Sequence, residues 1–268
     1  MRLMRRTACL ALLCAALVGC NPGQSKNDPK EAPKLKELVK TDIKVGEGDA
    51  ADSGDMVWVM YEGKTVDGNV FDGNIKDNGM PYPVMLSTGG NRPMVIKGWD
   101  TGLRGMKAGG ERKLEIPYKD AYGDEASGGG KIPPKSDLYF VCKVVYLVKK
   151  GSEAVFDKED LTVGTGAEAK EGSTITMHYK GEYLNGKVFD DSEKRPSGPK
   201  PFTVKLGEQS GTKDRIIKGL DFAIRGMKEG GVRKITLPPA LVLGGAGNET
   251  IAGNQPCTFT VKLLKVSG

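Results

Sequence analysis

Residues 56–63 read MVWVMYEG, with Val57, Val59 and Tyr61 alternating against Met56, Trp58 and Met60. Residues 174–181 read TITMHYKG, where Ile175, Met177 and Tyr179 alternate more cleanly against Thr174, Thr176 and His178. A two-residue period is that of a strand, and it places each tyrosine on the apolar face. Asp67-Gly68 and Asn185-Gly186 then predict tight hairpin turns. ERKLEIP (111–117) and VRKITLP (232–238) predict strands stopped by proline, and LYFVCKVVYL (138–147) and CTFTVKLL (257–264) predict closing strands. The period changes only in VIKGWDTGLRGMKAGG (95–110) and IIKGLDFAIRGMKEGG (216–231). There Trp99, Leu103 and Met106, and again Leu220, Ile224 and Met227, fall at helical spacing on one stripe. The glycine pairs Gly109-Gly110 and Gly230-Gly231 fit a helix stop. One short helix among several strands predicts an α+β domain whose helix covers a sheet face.

These patterns occur twice. Tyr61 and Tyr179, Phe71 and Phe189, and Asp72 and Asp190 are each 118 residues apart. Gly98 and Gly219, Met106 and Met227, and Pro117 and Pro238 are each 121 apart. Insertions of this kind belong in loops. The repeat predicts two tandem domains, over 41–150 and 159–268, with a linker near 149–158.

The amino terminus has a different character. MRLMRRTACLALLCAALVGC opens on basic residues and continues as an apolar run from Ala8 to Val18. That run is too short to span a bilayer and has the length of a signal-peptide core. It ends in Leu17-Val18-Gly19-Cys20, which resembles the bacterial lipobox. The resemblance implies that 1–19 are removed and that Cys20 carries lipid, giving an exported protein anchored to a membrane without a spanning helix. Asn21, where an aspartate would favour the inner membrane, points toward the outer one. Residues 20–40 are polar and proline-rich, as a flexible tether would be.

This segment also changes the charge. The chain has 40 Lys and Arg against 34 Asp and Glu, a formal +6. Removing 1–19 takes Arg2, Arg5 and Arg6 and no acid, leaving 37 against 34, or +3. So small a balance, mixed along the chain, does not call for a nucleic-acid partner. Cys142 and Cys257 remain for the folded part, one per repeat and each in phase with a strand phenylalanine (Phe140, Phe259). Two buried, unpaired thiols are the expectation.

Several chemistries have no residues to carry them. His178 is the sole histidine and lies on a polar strand face, which predicts a surface side chain rather than a base. The thiols sit in separate repeats, so no Cys/His metal cluster is expected. Gly128-Gly129-Gly130-Lys131 lacks the spacing of a phosphate loop, and Asp72-Gly73-Asn74 lacks the rest of a calcium loop. No metal and no cofactor is expected.

Taken in order, Tyr61-Glu62-Gly63, Asp67-Gly68, Val70-Phe71-Asp72, Val95-Ile96-Lys97-Gly98-Trp99, Gly105-Met106, Ala121-Tyr122-Gly123, Ile132-Pro133-Pro134 and Leu138-Tyr139-Phe140 resemble the FKBP-type peptidyl-prolyl cis-trans isomerases, which bind macrolide immunosuppressants. The resemblance runs from about Thr41 to Lys149 and, more loosely, from about Glu159 onward. It implies an antiparallel sheet wrapped around one short helix, acting on X-Pro bonds of unfolded or partly folded exported polypeptides and open to macrolide-type inhibitors. It implies Trp99 as the floor of a proline pocket and Tyr61, Phe71, Tyr82, Val95, Ile96 and Phe140 as its walls. Asp72 would meet the twisting amide or a polar wall group. The Tyr122 hydroxyl and the Ile96 N–H would bond substrate carbonyls, and Ile132 would lie on a loop over the site.

The second copy keeps Tyr179, Phe189, Asp190, Phe202, Ile216, Ile217, Ile251 and Phe259. Leu220 stands where the first copy has Trp99, and Leu243 where it has Tyr122. Low activity, or a binding or structural role, is expected there. A polypeptide-holding module that has little need of turnover is the alternative for the whole chain.

Overall fold

The computed structural model of the protein describes residues 34–89, 94–208 and 216–268. The expected signal segment, the lipid site at Cys20 and most of the tether lie outside these residues.

The first repeat comprises β1 (Val39–Lys44), β2 (Met56–Thr65), β3 (Val70–Gly73), β4 (Tyr82–Met85), α1 (Lys97–Gly102), β5 (Glu111–Ile116) and β6 (Leu138–Val148). The second comprises β7 (Asp157–Thr162), β8 (Thr174–Tyr183), β9 (Val188–Asp191), β10 (Phe202–Lys205), α2 (Lys218–Ile224), β11 (Val232–Leu237) and β12 (Cys257–Ser267). Each repeat forms one six-stranded sheet, the first in the order β1-β5-β6-β2-β3 with β4 also on β2. The second repeats that order, and every pairing is antiparallel. The strands expected from alternation are present as β2, β5, β6, β8, β11 and β12. Two edge strands were not expected. β1 starts at Val39, and β7 starts at Asp157 inside the stretch read as linker; all their residues are exposed. With neither face buried there is no alternation to read.

The helices are shorter than the sequence suggests, covering Lys97–Gly102 and Lys218–Ile224. Neither reaches its glycine pair. Each chain turns away earlier, at Gly105 (φ 81°) and Gly226 (φ 82°), in a left-handed conformation that glycine adopts without strain. Gly105 N–H then donates to Ala51 O at 2.8 Å, and Gly226 N–H to Ala169 O at 2.9 Å. The apolar stripe is nonetheless buried as expected: Trp99, Leu103 and Met106 lie in one core, Leu220, Ile224 and Met227 in the other. α1 lies so close to β5 that a Cβ on Gly98 would come within 2.3 Å of Ile116 Cγ2.

A buried arginine fixes the far end of each helix. Arg112 Nη1 donates to Gly102 O at 2.7 Å, while Arg112 Nε donates to Asp42 Oδ1 at 2.6 Å across β1. Arg233 repeats this with Ala223 O at 2.7 Å and Asp160 Oδ1 at 2.6 Å. The otherwise free helix carbonyls are thus satisfied by a charged donor. Cys142 and Cys257 are buried and unpaired.

Trp58 breaks the alternation of β2. It points away from the first core, yet it is only 2% exposed. Its ring lies against Tyr146 with centroids 5.6 Å apart, and its Nε1 reaches the second repeat, donating to Asn254 O at 2.8 Å.

Candidate functional site

β2 pairs with β3, β4 and β6, so it brings their side chains together at one end of the sheet. Tyr61 comes from β2, Phe71 and Asp72 from β3, Tyr82 from the start of β4, and Phe140 from β6. Val95 and Ile96 lead into α1, whose first turn carries Trp99. Tyr122 follows a short 3-10 turn, Tyr118–Asp120. These residues, with Met94, line a cavity of about 460 Å³.

The rings form a box. The Trp99 indole is 4% exposed, and Tyr61, Tyr82 and Phe140 stand at 87°, 82° and 78° to its plane. Their centroids lie 4.8, 6.4 and 5.3 Å from it. Edge-to-face contact is favourable for aromatic rings, so floor and walls hold one another in place. Phe71 extends the wall, edge-on to Phe140 at 5.6 Å.

The polar groups are few. Tyr61 Oη donates to Asp72 Oδ2 at 2.7 Å, and Gly73 N–H donates to Asp72 Oδ1 at 2.9 Å. Burial, and then the bond to Asp72, push the Tyr61 phenol well above its ordinary range. Burial and the Asp72 charge also raise Tyr122. Both phenols therefore stay protonated at neutral pH and can donate. Ile96 O accepts from Trp99 N and Asp100 N, while the Ile96 N–H meets no acceptor among the described residues.

The second repeat builds a smaller cavity of about 280 Å³ in the corresponding place. Tyr179, Phe189, Asp190, Phe202, Ile216, Ile217, Leu220, Leu243, Ile251 and Phe259 all line it, joined by Met177, Asn248 and Thr250. Its floor is aliphatic, because Leu220 fills the position of Trp99. Its carboxylate is also engaged differently. Tyr179 Oη donates to Asp190 Oδ2 at 2.6 Å, and Arg195 Nη2 lies 3.0 Å from both oxygens. Burial and Asp190 push the Tyr179 phenol up to about 12, with Arg195 pulling the other way.

Ile132 does not line the first cavity. It is 2% exposed and belongs to the core beneath. Paired bonds between Ser127 and Ile132, N–H to O at 2.9 and 3.2 Å, fold its loop so that the side chain turns inward. Ile251, its counterpart, does reach the second cavity. Met94, Arg195, Met177, Asn248 and Thr250 were not anticipated. Met94 adjoins Val95 and Met177 shares the face of Tyr179, so both were within reach of the pattern. The long loops holding the others gave no signal. His178 is half-buried, its Nδ1 2.9 Å from the Oγ of the buried Ser192.

The family described as FKBP-type peptidyl-prolyl cis-trans isomerase matches residues 48–145 and 166–264. The chain is 31% identical over 212 residues to the human peptidyl-prolyl cis-trans isomerase FKBP10, a match covering 79% of this chain and 34% of that protein. It is 44% identical over 108 residues to FK506-binding protein 4 of Emericella nidulans, covering 40% of this chain and 21% of that protein. The match thus spans about a third or less of these relatives' lengths. Among solved structures, FkpA from Escherichia coli matches 41% of this chain and 47% of its own at 35% identity, with a TM-score of 0.36. Both repeats match along nearly their whole length, and the chain belongs to the FKBP-type peptidyl-prolyl cis-trans isomerase family as a tandem of two such domains.

Proposed function

We propose that the chain accelerates rotation about X-Pro bonds in exported polypeptides, and that the first cavity does this work. The observation that carries the proposal is the aromatic box on Trp99. A proline ring fits flat on the indole between three upright rings, and there is no group nearby that must titrate. The barrier to rotation, about 18–20 kcal/mol, comes from amide resonance. Resonance makes the planar amide polar, and twisting removes part of that polarity. An apolar cavity therefore disfavours the planar ground state more than the twisted one, and each 1.4 kcal/mol of that difference is worth about tenfold in rate. In this reading the Ile96 N–H and the Tyr122 hydroxyl hold substrate carbonyls, and Asp72 keeps Tyr61 upright while facing the twisting amide. Val95, Tyr82 and Phe71 close the sides.

The amino-terminal pattern supports the setting: a lipid on Cys20 would hold the folded part at a bacterial membrane, facing exported chains. Macrolide-type inhibitors would compete for the first cavity. In the second cavity, Leu220 and Leu243 remove the broad floor and one donor, and Arg195 occupies the carboxylate. That cavity remains open and apolar, which favours peptide holding with little turnover there.

The test uses the full chain. Trp99→Leu with Tyr122→Leu gives the first cavity the second cavity's residues. Proline-limited refolding of a client protein should then slow by at least about tenfold. Unchanged acceleration refutes catalysis at this site. If the variant and the parent chain assist proline-free clients equally well, the holding reading prevails.

A further inference from the structure

Every residue lining the first cavity comes from the first repeat, but the loop that leads to one of them is bonded to the second. Tyr82 follows a loop, 74–81, and the second repeat grips that loop at successive residues. Asn185 Nδ2 donates to Asn78 O at 2.8 Å and to Gly79 O at 3.0 Å. Asn78 Nδ2 returns a bond to Asn185 O at 3.0 Å. The Met80 side chain packs on the second core. Gln255, itself 8% exposed, donates from Nε2 to Pro81 O at 3.3 Å. The next residue is Tyr82, whose ring stands over Trp99 and against Tyr61, 6.3 Å away at 76°. β4 rests on β2 through the pairs Val59–Tyr82 and Trp58–Pro83, and Trp58 is the residue tied to Asn254.

The second repeat ties its corresponding loop differently. Its own loop, 192–201, is held from within by Arg195 on Asp190 and Tyr179 and by Lys200 N–H on Ser192 O at 2.8 Å. The first repeat's shorter loop has no arginine to play that part. The first repeat's loop is tied from within by Asn74, whose Nδ2 donates to Met80 O at 3.0 Å and to Val59 O at 3.1 Å, and the bonds from the second repeat add to these at Asn78, Gly79 and Pro81.

We propose that Asn185 and Gln255 are positioning residues for the first cavity, and that the second repeat holds the Tyr82 wall at its working distance from Trp99. This rests on the reading of the first cavity as the X-Pro site. It assigns the second repeat a part in that site's chemistry whatever its own cavity does.

A double-mutant cycle on the full chain tests it. Asn185→Ala with Gln255→Met removes the donors to the loop while keeping the Gln255 side-chain length. With Tyr82 present, kcat/KM for an X-Pro peptide should fall about tenfold, or about 1.4 kcal/mol, mostly through KM. In a Tyr82→Ala background the same changes should cost nothing further. Equal losses in both backgrounds, or no loss with Tyr82 present, overturn the inference. Should the double variant unfold, Gln255→Met alone enters the same cycle, with a loss of about threefold expected for one neutral bond. Trp99→Leu is measured alongside. If it leaves turnover unchanged, the site reading falls and the inference with it. If it abolishes turnover and the cycle is additive, only the inference falls.

Discussion

Asp55 gives the first repeat a titratable support that the second lacks. Its side chain is 3% exposed. Oδ2 accepts from Lys149 Nζ at 2.5 Å and from Asp52 N at 2.7 Å, and Oδ1 accepts from Lys150 N at 2.9 Å. Burial pushes the carboxyl up, but the bonds from Lys149, Lys150 and Asp52 outweigh it and hold it below its ordinary value. Asp55→Asn keeps the shape, removes the charge and turns an N–H₂ toward one set of donors. Bonds to a charged acceptor contribute about 1.5–3 kcal/mol each, and Lys149 can turn to water, so the net cost at pH 7 should be about 2 kcal/mol. The sign of the pH dependence follows. A depressed folded pKa contributes fully above the unfolded value, about 3.9, and its contribution fades as pH falls through the lower folded value. Parent and variant should therefore differ at pH 7 and converge as pH falls below the unfolded value and through the lower folded one. Urea denaturation followed by indole fluorescence reads this directly, because the chain's 2 tryptophans, Trp58 and Trp99, both lie in the first repeat. Ser173 occupies the equivalent place in the second repeat and accepts from Lys170 N at 3.2 Å with a hydroxyl that does not titrate. A cost that persists undiminished at low pH, or no cost at pH 7, refutes the reasoning.

Arg195→Gln should raise the Tyr179 phenol above its value of about 12, because a cation that favours the phenolate is lost; NMR titration of labelled tyrosines checks the direction. Gly98→Ala places a methyl 2.3 Å from Ile116 Cγ2 and should cost about 1–3 kcal/mol in denaturation experiments. A neutral result would mean that α1 can lift from β5. Cys142 and Cys257 are fully buried and burial raises both thiols, Cys257 to about 12. They should ignore a thiol reagent in the folded chain and react on unfolding; reaction at the native rate of a free thiol would contradict the packing.

The strands that bury one face announced themselves in the sequence, because alternation is the imprint of a half-buried sheet. β1 and β7 did not, since nothing in them is buried. The stripes Trp99-Leu103-Met106 and Leu220-Ile224-Met227 were legible as buried residues but misleading as helix length. A turn at Gly105 or Gly226 can carry the next methionine into the core as well as a further helical turn can. Most of the cavity was legible by resemblance, since its lining comes from motifs kept in order. Ile132 was misplaced because a loop's facing depends on its own bonds, here those to Ser127. Arg195 and the grip of Asn185 and Gln255 on the Tyr82 loop were hidden, being contacts between distant parts of the chain with no local pattern.

The Gln255–Pro81 bond joins positions 174 residues apart. A ribosome adds roughly 5–20 residues per second, so about 10–35 s pass between the making of these two partners. During that interval Trp58 has no Asn254 to receive its N–H, and the loop before Tyr82 has no outside support. The amino-terminal repeat is made first but completed last. A chain halted before Asn185 would carry every side chain of the first cavity and still lack its finished wall.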